Sequence, residues 1–163
     1  MPAHLIRSAA LCLACASPAG ANDPHAAPPL VDTIALWLAA NFDLPVAATA
    51  PALVGVPAAD LVAMRYGAGN SARAGDVAAV YDDGTIFLAE GWTGRSPADL
   101  SILVHEMVHH LQSSAQLRFA CPGEREVLAY RAQDAWLGLF GESLATTFGL
   151  DPATILAGTA CTH

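Results

Sequence analysis

Apolar residues are spaced so that the first half of the chain predicts short elements of both kinds. Residues 31–42 have helical spacing, and Pro45 closes that helix. A short apolar run at 52–56 predicts a strand. Residues 57–66 predict a second helix with Pro57 in its first turn. Helix and strand therefore alternate before the middle of the chain.

Two further apolar runs, 77–81 and 85–89, flank the turn sequence Asp82-Asp83-Gly84 and predict a β-hairpin. We expect a small antiparallel sheet in which 85–89 is the second strand of the hairpin. Trp92 follows this strand and either lines a cleft or packs in the core.

The second half of the chain predicts two long helices. Ser96 and Pro97 suit the cap and first position of a helix that runs to about Ser114. Residues 124–139 predict the next helix, and residues 142–163 predict a short helix and a tail.

The N-terminus is typical of a secretory signal peptide over residues 1–21. Arg7 precedes a short apolar run, and Ala19-Gly20-Ala21 fits the small-x-small cleavage pattern. A lipoprotein signal and an ordinary buried helix are alternatives. Residues 22–30 predict a flexible leader and residues 31–163 a single domain. We expect an extracytoplasmic protein with no membrane segment after cleavage, because the apolar run is too short to span a bilayer.

Composition supports a folded domain with a core and excludes one class of partner. Apolar residues make up 54% of the 163 residues, and charged residues make up 13%. The charged residues are seven arginines, no lysine and fifteen acids, with a formal net charge of −8. This balance argues against binding nucleic acid or an anionic membrane through a basic patch.

Removal of the signal peptide would leave two cysteines, Cys121 and Cys161. An export signal and an even cysteine count predict a disulfide between them. Two free buried thiols are the alternative.

The sequence His105-Glu106-Met107-Val108-His109 is an HExxH motif within the first long helix. Histidines four residues apart project from one helix face and can occupy two corners of a zinc tetrahedron. Zinc lowers the pKa of a water molecule, and a neighbouring carboxylate such as Glu106 can accept its proton. The motif therefore predicts a Zn²⁺ site with Glu106 as the general base.

Zinc needs a third protein ligand, which the next helix can supply. Glu126 is the predicted ligand because that helix can pack antiparallel to the first after a short connection. Glu124 is the alternative, although a helix-start position suits it better for interaction with the dipole. Tyr130 shares a face with Glu126 and either donates to the oxyanion of a tetrahedral intermediate or is a core tyrosine.

The HExxH motif followed by Glu126 in a Glu-x-x-Ala context resembles the gluzincin branch of the zincin metallopeptidases. The resemblance extends over residues 85–140, which are also similar to small exported bacterial proteins of unknown function. It implies His105, His109 and Glu126 as ligands. It also implies a minimal zincin-like α+β fold, in which a small antiparallel sheet packs on the HExxH helix and the Glu-bearing helix. Zincins usually carry an edge strand just before the motif helix, and the resemblance implies that strand 85–89 is this edge strand. Its exposed backbone could pair with an extended peptide, whereas a plain core strand would not. A peptide or protein substrate follows from the same resemblance.

One departure from the gluzincin pattern concerns the group that orients a ligand histidine. An acidic residue is frequent three or four places after the ligand Glu, where this chain has Ala129 and Tyr130. Asp134 could accept a histidine N–H or be a solvated helix residue. Gln112 could bind substrate or a backbone group of a neighbouring helix. His110 is expected to support the site or to be partly exposed rather than to bind metal.

Three functions remain open on these observations. The first is an exported zinc metallopeptidase. The second is a non-catalytic zinc-binding or interaction domain with a zincin-like fold, and the third is a structural domain whose histidines belong to the core.

Overall fold

A computed structural model of the protein describes residues 29–161. Helices and strands alternate in the first half of the chain, and helices make up the second half. The helices are α1 (Leu30–Phe42), α2 (Ala58–Tyr66), α3 (Pro97–Ser114), α4 (Pro122–Gly138), α5 (Leu144–Phe148) and α6 (Pro152–Thr159), and the strands are β1 (Ala52–Val56), β2 (Ala79–Asp82) and β3 (Thr85–Ala89). This mixed content agrees with the predicted α+β class. None of the helices within residues 29–161 is long and apolar enough to cross a membrane. The predicted signal peptide and most of the predicted leader lie outside the described residues.

The three strands have the order β1-β3-β2, and the sheet is mixed rather than antiparallel as predicted. The hairpin of β2 and β3 is antiparallel, with Asp83 and Gly84 both at positive φ (36° and 79°), as a type I′ turn requires. Strand β1 is parallel to β3, because α2 and the following loop lead into β2 in the opposite direction and the hairpin then reverses the chain again. The prediction that strand 85–89 is an edge strand is therefore wrong: β3 is central, and β2 and β1 form the edges.

The sheet separates two apolar clusters. Ile86 and Leu88 of β3 pack in the main core with α1 and α3. Phe87 and Ala89, which point the other way, pack against a smaller cluster that contains Leu61 of α2. The alternation of side chains along β3 thus places α3 on one face of the sheet and α2 on the other.

Helix α3 starts where the sequence predicted and is enclosed along most of its length. The Ser96 hydroxyl accepts the backbone N–H of Asp99, and Pro97 occupies the first turn. All residues from Leu103 to Gln112 are buried, including the two motif histidines. A helix buried on all sides must find partners for its polar side chains within the protein.

The predicted disulfide between Cys121 and Cys161 is present and joins the start of α4 to the residues after α6. Helix α6 lies so close to α4 that a Cβ on Gly123 would meet the Thr159 carbonyl oxygen at 2.6 Å. Within residues 142–161 the structure has two short helices, α5 and α6, rather than the predicted short helix and tail. Gly149, at φ 69°, ends α5, and Asp151 caps α6 through the N–H of Thr154.

Candidate metal centre

The three predicted metal ligands meet at one point between α3 and α4. The Nε2 atoms of His105 and His109 are 3.2 Å apart. The Oε2 atom of Glu126 lies 3.1 Å from the first nitrogen and 3.2 Å from the second. All three side chains are nearly buried. The structure therefore brings the predicted ligand set together.

An antiparallel arrangement of α3 and α4 produces this convergence. Glu126, early in α4, lies beside His109, and Gln133, two turns later, lies beside His105 and Ser101. Ala129 sits between these two α4 residues, is fully buried, and lets the helix backbones approach closely.

Two glutamines determine which histidine nitrogen carries the proton. Gln112 donates its amide N–H to the Arg125 carbonyl (3.0 Å), so its Oε1 faces His109 Nδ1 at 3.1 Å. Gln133 donates to the Ser101 hydroxyl and places its Oε1 3.0 Å from His105 Nδ1. An amide oxygen only accepts, so both neutral rings carry their proton on Nδ1. Both Nε2 lone pairs therefore point at Glu126.

Three lone pairs, two from the neutral imidazoles and one from the Glu126 carboxylate, therefore point at one position, and none of these groups places a proton there. Nearly equal separations of 3.1–3.2 Å match the edges of a zinc tetrahedron, which are about 3.3 Å for bonds of about 2.0–2.1 Å. Two imidazoles and a carboxylate are a donor set that zinc accepts. The three residues are therefore close enough to one another to bind a metal ion.

The charge state of Glu126 follows from the same contacts. Burial by itself raises its pKa, but when the rings of His105 and His109 also carry a proton on Nε2, their hydrogen bonds and charges outweigh burial and hold the pKa well below its usual value. The second carboxylate oxygen, Oε1, lies 3.5 Å from Nη2 of Arg65 on α2. Glu126 is therefore an anion at neutral pH.

Arg125 makes a second contact with His109, at 3.3 Å between its Nε and the ring Nδ1. Gln112 accepts a hydrogen bond only if Nδ1 carries a proton, whereas Arg125 donates one only if Nδ1 has a lone pair. The two contacts therefore cannot both be hydrogen bonds at once. We take Gln112 as the partner because its contact is shorter and the Arg125 carbonyl holds the other end of its amide. The guanidinium then lies beside the ring as a nearby positive charge.

A cavity of about 500 Å³ opens onto the ligands, a size suited to a small ligand or short peptide. Glu106 and Tyr130 lie in its wall with the three ligands. Glu106 is only 7% exposed, and its carboxylate makes no hydrogen bond to another described residue. The consecutive residues 75–81 also line the cavity, so the edge of β2 that is not paired with β3 borders it, rather than one face of the sheet.

The remaining predicted residues have other surroundings. Glu124 is exposed, and its carboxylate accepts the backbone N–H of Ala120. His110, which was expected to support the site or to be partly exposed rather than to bind metal, is buried. Its Nε2–H donates to the Thr49 carbonyl and its ring packs on Tyr81, away from the three predicted ligands. Trp92 packs against the main core and donates to the Asp99 carbonyl, and Asp134 accepts the N–H of Leu144.

Sequence reasoning did not identify Gln133, Arg125 and Arg65 at this site. Gln133 follows Glu126 by two helical turns, so the spacing already placed both on one face of α4. Arg125 directly precedes Glu126, and helical spacing does not place neighbouring residues on the same face, so the sequence did not point to Arg125. Arg65 comes from α2, which no local pattern connects to the HExxH helix.

The chain belongs to the family described as a domain of unknown function, DUF6647, which it matches over residues 23–162. No curated protein and no solved structure matched the chain.

Proposed function

We propose that this member of the DUF6647 family is an exported, zinc-dependent hydrolase of minimal zincin type that cleaves peptide bonds. One observation carries the proposal. His105, His109 and Glu126 direct three lone pairs at one point in the wall of a cavity. The same wall contains the carboxylate of Glu106, which makes no hydrogen bond within residues 29–161. That combination would provide a metal site and a general base within one cavity.

The residues divide the work of hydrolysis among them. His105, His109 and Glu126 would hold the zinc ion, which when bound would polarise a carbonyl group and lower the pKa of water. Glu106 accepts the proton of the attacking water and passes it to the amine that leaves. Gln112 and Gln133 hold the two imidazoles in the orientation that keeps Nε2 available.

Tyr130 has the properties of an oxyanion donor. It is half-buried, and its ring contacts that of His105 edge to face, with centroids 4.8 Å apart. Burial, and after it the charge of Glu126, raises the pKa of Tyr130. The phenol therefore keeps its proton at neutral pH and can donate it to a developing negative charge.

The edge of β2 suits the backbone of an extended peptide. Strand β2 pairs with β3 on one side only, and residues 75–81 border the cavity. A peptide that adds to this edge gains main-chain hydrogen bonds beside the metal ligands. This role replaces the one that the sequence suggested for strand 85–89.

Export is consistent with the Cys121–Cys161 disulfide, because disulfides persist in oxidising compartments outside the cytoplasm. The signal peptide predicted over residues 1–21 supports the same location.

Metal content and peptide cleavage test the proposal together. We expect one zinc per chain by elemental mass spectrometry on protein purified without chelator, and cleavage of a diverse peptide library that a chelator abolishes and zinc restores. His109→Ala and Glu126→Ala should lose or greatly weaken zinc binding. Retention of zinc without any cleavage would instead favour a non-catalytic zinc-binding domain, and absence of zinc after incubation in a zinc buffer would contradict the proposal.

Replacing Gln133 by leucine is expected to weaken zinc binding by about 10- to 100-fold, because the Nδ1–H of His105 loses its acceptor. Competition with a chromogenic chelator measures the dissociation constant. Gln133→Glu retains an acceptor and should retain zinc. Arg131→Ala, an exposed change on the same helix, is the control. Equal zinc affinity in Gln133→Leu and the wild type would disprove the supporting role.

A further inference from the structure

The cavity beside the ligands holds two of the chain's few positive charges. The chain has seven arginines and no lysine against fifteen acids. Arg65 and Arg125 both line this cavity. The Nε of Arg125 lies against His109, and the Arg125 backbone carbonyl accepts an amide N–H of Gln112. Arg65 is the more exposed of the two arginines, so a ligand that enters the cavity can reach its guanidinium.

Arg65 lies in the last turn of α2 and reaches Glu126 from the side opposite the histidine nitrogens. Its Nη2 is 3.5 Å from Oε1, and 52% of its side chain is exposed. It makes no other hydrogen bond or ion pair with a residue in 29–161. A long, solvated ion pair contributes little, and a guanidinium has five N–H donors in a planar fork. Most of these donors remain available to a ligand.

The charge balance of the cavity favours an anionic group once a metal is bound. Its carboxylates are Asp76, Glu106 and Glu126, and the two arginines offset two of them. A divalent cation then leaves the wall positive. Because Glu126 bridges the metal position and Arg65, the free donors of Arg65 are close to the reacting carbonyl.

We propose that Arg65 binds a carboxylate of the substrate, so that the site prefers a peptide bond next to a free C-terminal residue. This inference rests on the proposed hydrolase function and specifies its substrate class. In a C-terminal residue the carboxylate carbon lies within about 3.8 Å of the preceding carbonyl carbon, a span set by one residue of backbone. The exposed rings of Tyr66 and Phe148 line the same cavity and suit an apolar side chain on that residue.

Three matched peptides distinguish the sources of the carboxylate. The first is an N-acetylated tetrapeptide ending in phenylalanine with a free carboxylate, the second is its C-terminal amide, and the third is an amide ending in glutamate. We expect the zinc-loaded protein to hydrolyse the acid with kcat/KM about 10- to 100-fold above the amide, mainly through KM. A preference for the third peptide over the second would assign the contact to an acidic side chain.

Arg65→Ala is expected to remove this preference, bringing the ratio of acid to amide close to one while one zinc per chain is retained. Arg65→Lys should retain part of the preference, because a lysine keeps the charge without the fork. The exposed Arg131→Ala is the matched control and should keep the wild-type ratio. An unchanged ratio in Arg65→Ala, or an equal loss for both peptides together with loss of zinc, would overturn the proposal. The second result would mean that Arg65 serves only to position Glu126.

Binding of the same peptides separates this inference from the proposed catalysis. Calorimetry on zinc-loaded Glu106→Gln, with and without Arg65→Ala, reports carboxylate recognition without turnover. If the wild type cleaves none of the peptides, the hydrolase proposal fails. Tighter binding of the acid than of the amide, lost in Arg65→Ala, would then still support the carboxylate site at Arg65. Equal binding of the two peptides, or binding of neither, would overturn this inference.

Discussion

Replacing Glu106 by glutamine is expected to lower kcat/KM for peptide hydrolysis by about 10²- to 10⁴-fold while zinc content stays at one per chain. Glutamine has nearly the same shape as glutamate but cannot accept the proton of the attacking water. The Glu106 carboxylate contacts neither of the convergent nitrogens and makes no hydrogen bond within the described residues. Removing its charge should therefore leave the three ligands in place. Steady-state kinetics with parallel metal analysis measures both quantities.

Glu124→Gln is the matched control for this variant. Glu124 carries the same side chain on the first turn of α4, is exposed, and caps a loop N–H instead of facing the cavity. We expect wild-type kinetics and zinc content in this variant. Full activity in Glu106→Gln would refute the general-base role. Loss of zinc in Glu106→Gln, or in Glu124→Gln, would mean that the ligand set has been assigned incorrectly.

Replacing both Cys121 and Cys161 by serine is expected to lower the free energy of unfolding by about 4 kcal/mol. The bond closes a loop with a sequence separation of 40 residues, and opening it restores that loop's entropy to the unfolded chain. A loss of this size is a large fraction of the stability of a small domain. Urea denaturation of the zinc-loaded and chelated proteins measures it.

Reductant provides the control for the disulfide variant. Reduced wild-type protein should unfold at the same urea concentration as the double serine variant. Reductant should not change the unfolding of that variant. Because Cys121 lies five residues before Glu126, we also expect weaker zinc binding in the variant. An unchanged unfolding midpoint would show that the close packing of α6 on Gly123 suffices without the covalent bond.

Features set by neighbouring residues were predictable from the sequence. The start of α3 depends on Ser96 and Pro97, and the hairpin depends on Asp83 and Gly84, so each signal lies within a few residues. The ligand set was predictable for a similar reason. Its members lie on two successive helices, and the short connection between these helices limits how they can pack. The disulfide was predictable because Cys121 and Cys161 are the two cysteines that follow the predicted signal peptide.

Features set by distant segments were not predictable. The apolar run of β1 carries no mark of which strand it joins or in which direction, and its parallel pairing with β3 makes β3 central. The burial of His110 depends on the Thr49 carbonyl and Tyr81, which come from other parts of the chain. The position of Arg65 against Glu126 likewise follows from how α2 packs, not from the sequence around either residue.

The confinement of all three ligands to α3 and α4 has a consequence for the order of folding. The histidines are four residues apart, and Glu126 follows them by 17 and 21 residues. Loop-closure entropy rises with the logarithm of the segment closed, so these contacts cost less to form than the pairing of β1 with β3 or the joining of α6 to α4. Contacts of low sequence separation also form fastest. The helical hairpin can therefore bring its three predicted ligands together while the sheet is still unassembled. Under the proposed function, a metal bound there would stabilise an early folding unit as well as the finished site.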